Sequence, residues 1–250
     1  MGILRRMFGD SKASDGGAPS DRSQRLDAIG QLLMKHGLMA LDKQLHLSDL
    51  VGEADWLLEK EAGTITFGGE TVCAAQVLGS QSDADADATW RWAWANPSVP
   101  EHVAKDAAAV RTYGEDHGLE EFTRPEVPIG ATISGEAMAL IASELTNADA
   151  YYRGPYEGGA VFVLLRLPDD APRQVHADVL RAVRTLSVAP MALPIPLPRE
   201  VVASYLRKIG LKAEDRGHDL VGRDAGGRSV TVALDRRGRM RAITSTLGPV

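Results

Sequence analysis

Two short stretches hold the residues best suited to chemistry. AYYRGPYEGG places Tyr151, Tyr152, Arg153 and Tyr156 around one Gly-Pro step. A guanidinium among phenol rings can hold an anionic or planar ligand through charge-assisted hydrogen bonds and ring contacts. The same arginine could instead be structural, pairing with Glu115 of YGE. WRWAWANPS puts Trp90, Trp92 and Trp94 on alternate positions, with Asn96 next in register. In a strand these four side chains share one face, while Arg91, Ala93 and Ala95 take the other. Three indoles, each burying on the order of 150–250 Å², can organise much of a core. Alternatively, some ring faces stay open along a groove. The spacing predicts a core with an open end, where Asn96 can orient a ligand. Trp92, Trp94, Asn96, Tyr152 and Arg153 are therefore the candidate ligand-binding residues.

Other constellations fail on spacing. The six histidines (His36, His46, His102, His117, His176 and His218) contain no i, i+4 pair, and there is no H-E-x-x-H. A G-x-S-x-G elbow is missing, as are both glycine-rich phosphate loops. Asp83, Asp85 and Asp87 begin like a calcium loop, but Ala88 stands where glycine is needed and Trp94 where the closing glutamate belongs. Cys73, the single cysteine, precedes an apolar run and is expected to be a buried, inert thiol. No catalytic residue, metal or cofactor is expected, and the reading leans away from an enzyme.

The elements that would position these residues follow from periodicity. Leu26, Ile29 and Leu33 mark a helical face, which Leu38, Leu41 and Leu45 resume after a break at His36-Gly37. Strands are expected over 56–61, 64–67 and 71–78, then through the tryptophans, as an antiparallel meander. Ser98, Pro100 and Glu101 read as the cap of a helix over 101–113. Ser134 caps another helix carrying Ala137, Ile141 and Leu145. Strands at 151–156 and 161–167 and a helix from Pro172 to Leu186 complete the main domain. APMALPIPLP has the composition of a stiff linker. The expected organisation is a disordered leader (1–22), an α+β main domain with an antiparallel sheet flanked by helices (25–188), a linker (189–198) and a small basic α-β-β-β module (199–250).

The runs TFGGETVCAAQVLGS, TWRWAWANPS, VRTYGEDHGL and YYRGPYEGGAVFVLL resemble a bacterial domain family of unknown function. Its marks are a W-x-W-A-W-A-N strand and a Y-Y-R-G-P segment, and the resemblance covers residues 25–190. It implies an α+β fold and supplies no activity.

Composition sets the remaining bounds. An apolar fraction of 44% with 25% charged residues is that of ordinary globular chains, long enough here to bury a core without staples. One cysteine excludes a disulfide framework and points to a reducing cytoplasm. No apolar run is long enough to span a membrane. The whole chain carries −6, yet residues 196–250 hold eleven Lys/Arg against six Asp/Glu, a net of +5. These arginines lack interleaved aromatics, so nucleic acid is not the expected partner. The leading expectation is a non-catalytic cytoplasmic binding module with a protein partner. A small-molecule sensor or enzyme built on the tryptophan strand and YYRGPY is the first alternative; nucleic-acid association through the basic module is the second.

Overall fold

The computed structural model describes residues 27–82, 88–130 and 133–247. The expected leader and the Asp83, Asp85, Asp87 loop lie outside them. The architecture is α+β, with antiparallel pairing throughout both sheets. Among the described residues no helix is long and apolar enough to cross a membrane. The chain divides into two compact units, one holding residues 51–167 with the described residues up to 31, the other holding 32–50 and everything from 168.

The first unit is built on seven strands: β1 (Trp56–Glu59), β2 (Thr64–Phe67), β3 (Thr71–Ser82), β4 (Thr89–Trp92), β5 (Glu126–Pro128), β6 (Ala150–Tyr156) and β7 (Gly159–Arg166). Gly68 and Gly69, at φ +58° and +75°, sit at the centre of the turn from β2 into β3, across which Glu70 N donates to Phe67 O at 3.1 Å. The twelve-residue β3 is the spine. β2 pairs with its first half and β4 with its last residues, while β7 runs along the opposite edge. A register shift between Val77 and Gly79 bends it midway. The sheet curls far enough that Trp56 of β1 meets Tyr152 of β6 at 5.6 Å between ring centroids. The concave face is filled by Ile65, Phe67, Cys73, Ala75, Val77, Val163 and Leu165, all buried.

Two helices, α2 (Lys105–His117) and α4 (Gly135–Leu145), cover part of the convex face, with the short α3 (Glu120–Thr123) after α2. Both longer helices begin on a glutamine of β3. Gln76 Oε1 accepts from Lys105 N at 3.0 Å, and Gln81 Oε1 accepts from Gly135 N at 2.7 Å. Ser134 caps α4 as expected, accepting from Ala137 N. The helix expected over 101–113 starts later: Glu101–Val103 form a 3₁₀ turn, and Ser98 Oγ donates to Asn96 instead of capping.

The second unit takes residues 32–50 of α1 (Ala28–Val51), which runs unbroken through His36-Gly37. Gly37 is kept for closeness, not for a break. A Cβ there would lie 3.2 Å from Leu193, whose side chain packs on the helix. Helix α5 (Val179–Ala192) is capped by Asp178 and carries Pro190 near its end, and α6 (Arg199–Lys208) follows. Residues 172–178 thus precede the helix expected from Pro172. Between α5 and α6, Leu193, Ile195 and Leu197 are buried while Pro194 and Pro196 are exposed. Of the stretch read as a linker, Ala189–Ala192 is the last turn of α5 with Pro190 inside it, and only 193–198 is extended, packed with period-two burial.

The second sheet has four strands, in the order β11 (Met240–Thr246), β10 (Ser229–Leu234), β9 (Asp219–Arg223), β8 (Lys212–Arg216). The sequence signalled three. The fourth, KAEDR, is a mostly exposed edge strand with no apolar alternation to announce it. Helices α5 and α6 lie against this sheet, with Leu206 closing on Gly222.

Candidate functional site

The tryptophan stretch does not stay a strand. β4 ends at Trp92, and Ala93–Ala95 turn into a 3₁₀ helix, which ends the shared face expected for all three indoles. Trp90 and Trp92 are fully buried and meet edge to face at 5.2 Å. Phe162 packs on Trp90 and Phe122 on Trp92. Trp92 Nε1 donates to Glu121 O at 2.8 Å, whereas Trp90 Nε1 is buried without a hydrogen-bond partner. Trp94 is half-buried, with the Arg111 guanidinium 4.6 Å from its ring centre. Asn96 is occupied as well: its Oδ1 accepts from Ser98 N and Ser98 Oγ, at 3.0 and 2.8 Å.

Tyr152 and Arg153 are neighbours in sequence but turn to opposite faces of β6. Tyr152 packs against Phe67 and Trp56 in the concave core. Arg153 pairs with Glu136 of α4 at 3.2 Å, each side chain about one-seventh exposed. Glu115, the sequence candidate for that pairing, binds Arg111 one turn away on α2. Tyr151 is buried beside this pair, and burial together with the Glu136 carboxylate raises its phenol well above the ordinary range. The five candidate residues are thus distributed over a 3₁₀ turn and both faces of the sheet. Cys73 is fully buried, and burial pushes its thiol up, with Asp149 adding to the effect.

A surface feature emerges from register alone. Leu57, Thr66 and Val72 are direct cross-strand neighbours on the convex face of β1, β2 and β3. Leu57 is 61% exposed and Val72 49%. Glu59 shares that face one pair along, and Asp55 and Glu70 stand exposed at the Gly68-Gly69 end. The result is a short apolar strip with an acidic surround.

A family model matches residues 30–168, more than half of the chain. The chain belongs to a family of unknown function, DUF6882. The match takes in α1 from residue 30, the whole curled sheet, the tryptophans and the YYRGPY strand, and it ends where the second unit resumes. No curated protein and no solved structure matches the chain.

Outside the curled sheet of this DUF6882 protein, a cavity of about 380 Å³ opens between α1, the 173–178 segment and α5. Asp42, 1% exposed, forms its back wall. Arg181 grips both Asp42 carboxylate oxygens, while Thr185 Oγ1 donates to one of them at 3.0 Å. The guanidinium also donates to Val175 O and Gln174 Oε1, which fastens the extended segment to the helices. Arg184 pairs with Asp49, and His46 Nε2 hydrogen-bonds Pro172 O at 2.9 Å. Behind the wall, burial and the nearby Asp42 raise the Tyr205 phenol far above its usual range. The charges lining this cavity are largely committed to one another. Among the described residues no group of three or more His, Cys, Asp or Glu is placed to hold a metal ion. No local sequence signal marks Asp42, since its partner lies 139 positions away.

Proposed function

We propose that the DUF6882 domain is a non-catalytic protein-binding module, and that the Leu57–Thr66–Val72 strip is its docking face. The observation that carries this reading is the pair of large apolar side chains, Leu57 and Val72, left uncovered in one cross-strand row of the sheet. Isolated exposed apolar residues are ordinary; two in register across three strands form a contiguous patch. Asp55, Glu59 and Glu70 around the strip select a partner segment that is basic as well as apolar. β1 is an edge of the sheet, so its outer backbone groups can add main-chain hydrogen bonds to such a segment. The engagement of Trp92, Asn96 and Arg153 in internal contacts further supports binding through a surface.

A displayed library of random peptides, selected on the full chain, tests the proposal. Basic apolar peptides should be enriched, and Leu57→Asp with Val72→Asp should abolish their binding. Both positions are exposed, so unchanged far-UV circular dichroism is expected. Selected peptides that bind the double variant equally well would remove this face from consideration. Enrichment of acidic or purely polar peptides would reject the stated chemistry.

A further inference from the structure

The second sheet carries two hairpin turns of one design. In Asp224-Ala225-Gly226-Gly227-Arg228, Asp224 Oδ1 accepts from Arg228 N at 2.9 Å and Arg228 Nε donates to Asp224 Oδ2. In Asp235-Arg236-Arg237-Gly238-Arg239, Asp235 Oδ1 accepts from Arg239 N at 3.0 Å and Arg239 Nε donates to Asp235 Oδ2. The fourth residue is a glycine at positive φ in each, +83° and +73°. Aspartate, glycine and the closing arginine therefore make the turn. The two middle positions are free to vary: Ala-Gly in one turn, Arg-Arg in the other. Arg236 and Arg237 are surplus to the structure that holds them.

Two further features converge on the same end of the sheet. The register of β10 and β11 skips Arg241, pairing Ala233 with Ala242 but Leu234 with Met240. A bulge of this kind re-aims the extra side chain. The β8–β9 turn brings His218 alongside, its carbonyl accepting from Leu234 N at 2.8 Å. His218, Arg236, Arg237, Arg239 and Arg241 line one open concavity of about 640 Å³. Its single carboxylate, Asp235, is committed to the turn, and the backbone N–H of Arg239 is the largest influence bringing its carboxyl down to about 2. Asp215 of the neighbouring turn is paired with Arg199. Arg236, Arg237 and Arg241 have no ion-pair partner among the described residues.

We propose that this arginine-lined concavity binds a phosphodiester backbone. Guanidinium forks match phosphate oxygens in geometry and charge, and an open concavity lets a strand run through. No aromatic side chain lines it, so base stacking contributes nothing and recognition is independent of sequence. The only large apolar residue in the lining, Leu234, is buried, which leaves nothing to insert into a bilayer. This reverses the expectation drawn from composition. Asp224 and Asp235 dilute the charge of the module, but in space each is consumed by its own turn.

The test uses the full chain and fluorescein-labelled oligonucleotides, a 20-mer of dT and a 20-bp duplex, titrated by anisotropy at 50–200 mM salt. Three unpaired guanidiniums predict a salt slope of about −2 on a single strand, at about 0.7 per phosphate, or roughly a fifteenfold loss across that range. Arg236→Ala with Arg237→Gly gives this turn the sequence of its sister. That variant should keep its melting temperature and lose at least tenfold in affinity. Arg236→Lys with Arg237→Lys should retain most of the binding. Preference between the two oligonucleotides decides which form of the backbone the site takes. Absence of binding at 50 mM salt, equal binding by the Ala-Gly variant, or binding to phosphatidylserine vesicles in place of both oligonucleotides would each overturn the proposal.

Discussion

At the residue scale, the buried charges decide most. Asp42 sits at 1% exposure with Arg181 and Thr185 as its partners. Removing one member leaves the other charge buried and unpaired. Asp42→Ala is therefore expected to cost about 3–5 kcal/mol, read by urea unfolding with far-UV circular dichroism. All four tryptophans lie in the first unit, so circular dichroism, which sees the helices of the second unit, is the direct readout. Replacing both partners, as Asp42→Leu with Arg181→Met, should recover most of that loss. Loss of less than about 1 kcal/mol in Asp42→Ala would show that the pair is not buried as described. The two buried phenols set an alkaline limit. Tyr151 and Tyr205 hold their protons above the range of an unfolded tyrosine, near 10. Unfolding at high pH then releases protons that the folded state keeps. Their contribution is whole below about pH 10 and declines as pH rises past it. Urea midpoints at pH 8, 9.5 and 11 should fall only in the last step.

At the element scale, a strand residue does work that α2 would ordinarily do for itself. α2 has no side-chain cap of its own, and Gln76 of β3 accepts from its first N–H groups instead. Gln76→Ala should cost about 1 kcal/mol, comparable to the loss of a conventional cap. An unchanged unfolding midpoint would reassign that end of α2 to water. The proline-rich segment shows the same dependence on partners. Leu193, Ile195 and Leu197 alternate inward, and Leu193 rests against Gly37. Leu193→Ala is expected to destabilise the second unit by about 2–5 kcal/mol, whereas a truly solvated linker would tolerate the change. The composition made the extended course of 193–198 readable, but neither the continuation of α5 through Pro190 nor the odd-even burial. For Leu193 the partner is a helix more than 150 positions earlier.

At the scale of the whole molecule, the second unit is discontinuous in sequence, joining 32–50 to everything after 168. The helix–sheet module expected at 199–250 packs its sheet against α5, which lies outside it. Expressed alone, residues 199–250 should therefore give an amide spectrum with little dispersion. A dispersed, protected spectrum would mean that α6 and the four strands suffice. The α+β class, the strands at 64–67 and 71–78, the Ser134 cap and the burial of Cys73 were legible because each depends on local periodicity or composition. The end of the tryptophan strand at Trp92 was not, since alternation of residue type persists into a 3₁₀ turn that no local signal forbids.

The sequence by itself determined an antiparallel α+β domain of the DUF6882 family and a basic C-terminal segment, because propensity, turn chemistry and charge are written locally. Only the tertiary structure decided what the notable residues do. Register and packing over long separations buried Trp90 and Trp92, turned Tyr152 and Arg153 to opposite faces, and set Arg153 on Glu136. Strand register also left Leu57 and Val72 exposed in one row, and the β10–β11 hairpin with its bulge set four nearby arginines around one concavity beside His218. Side-chain identity fixes what a group can bind. Which groups meet, and which stay free for a partner, is fixed by contacts between residues far apart in the chain.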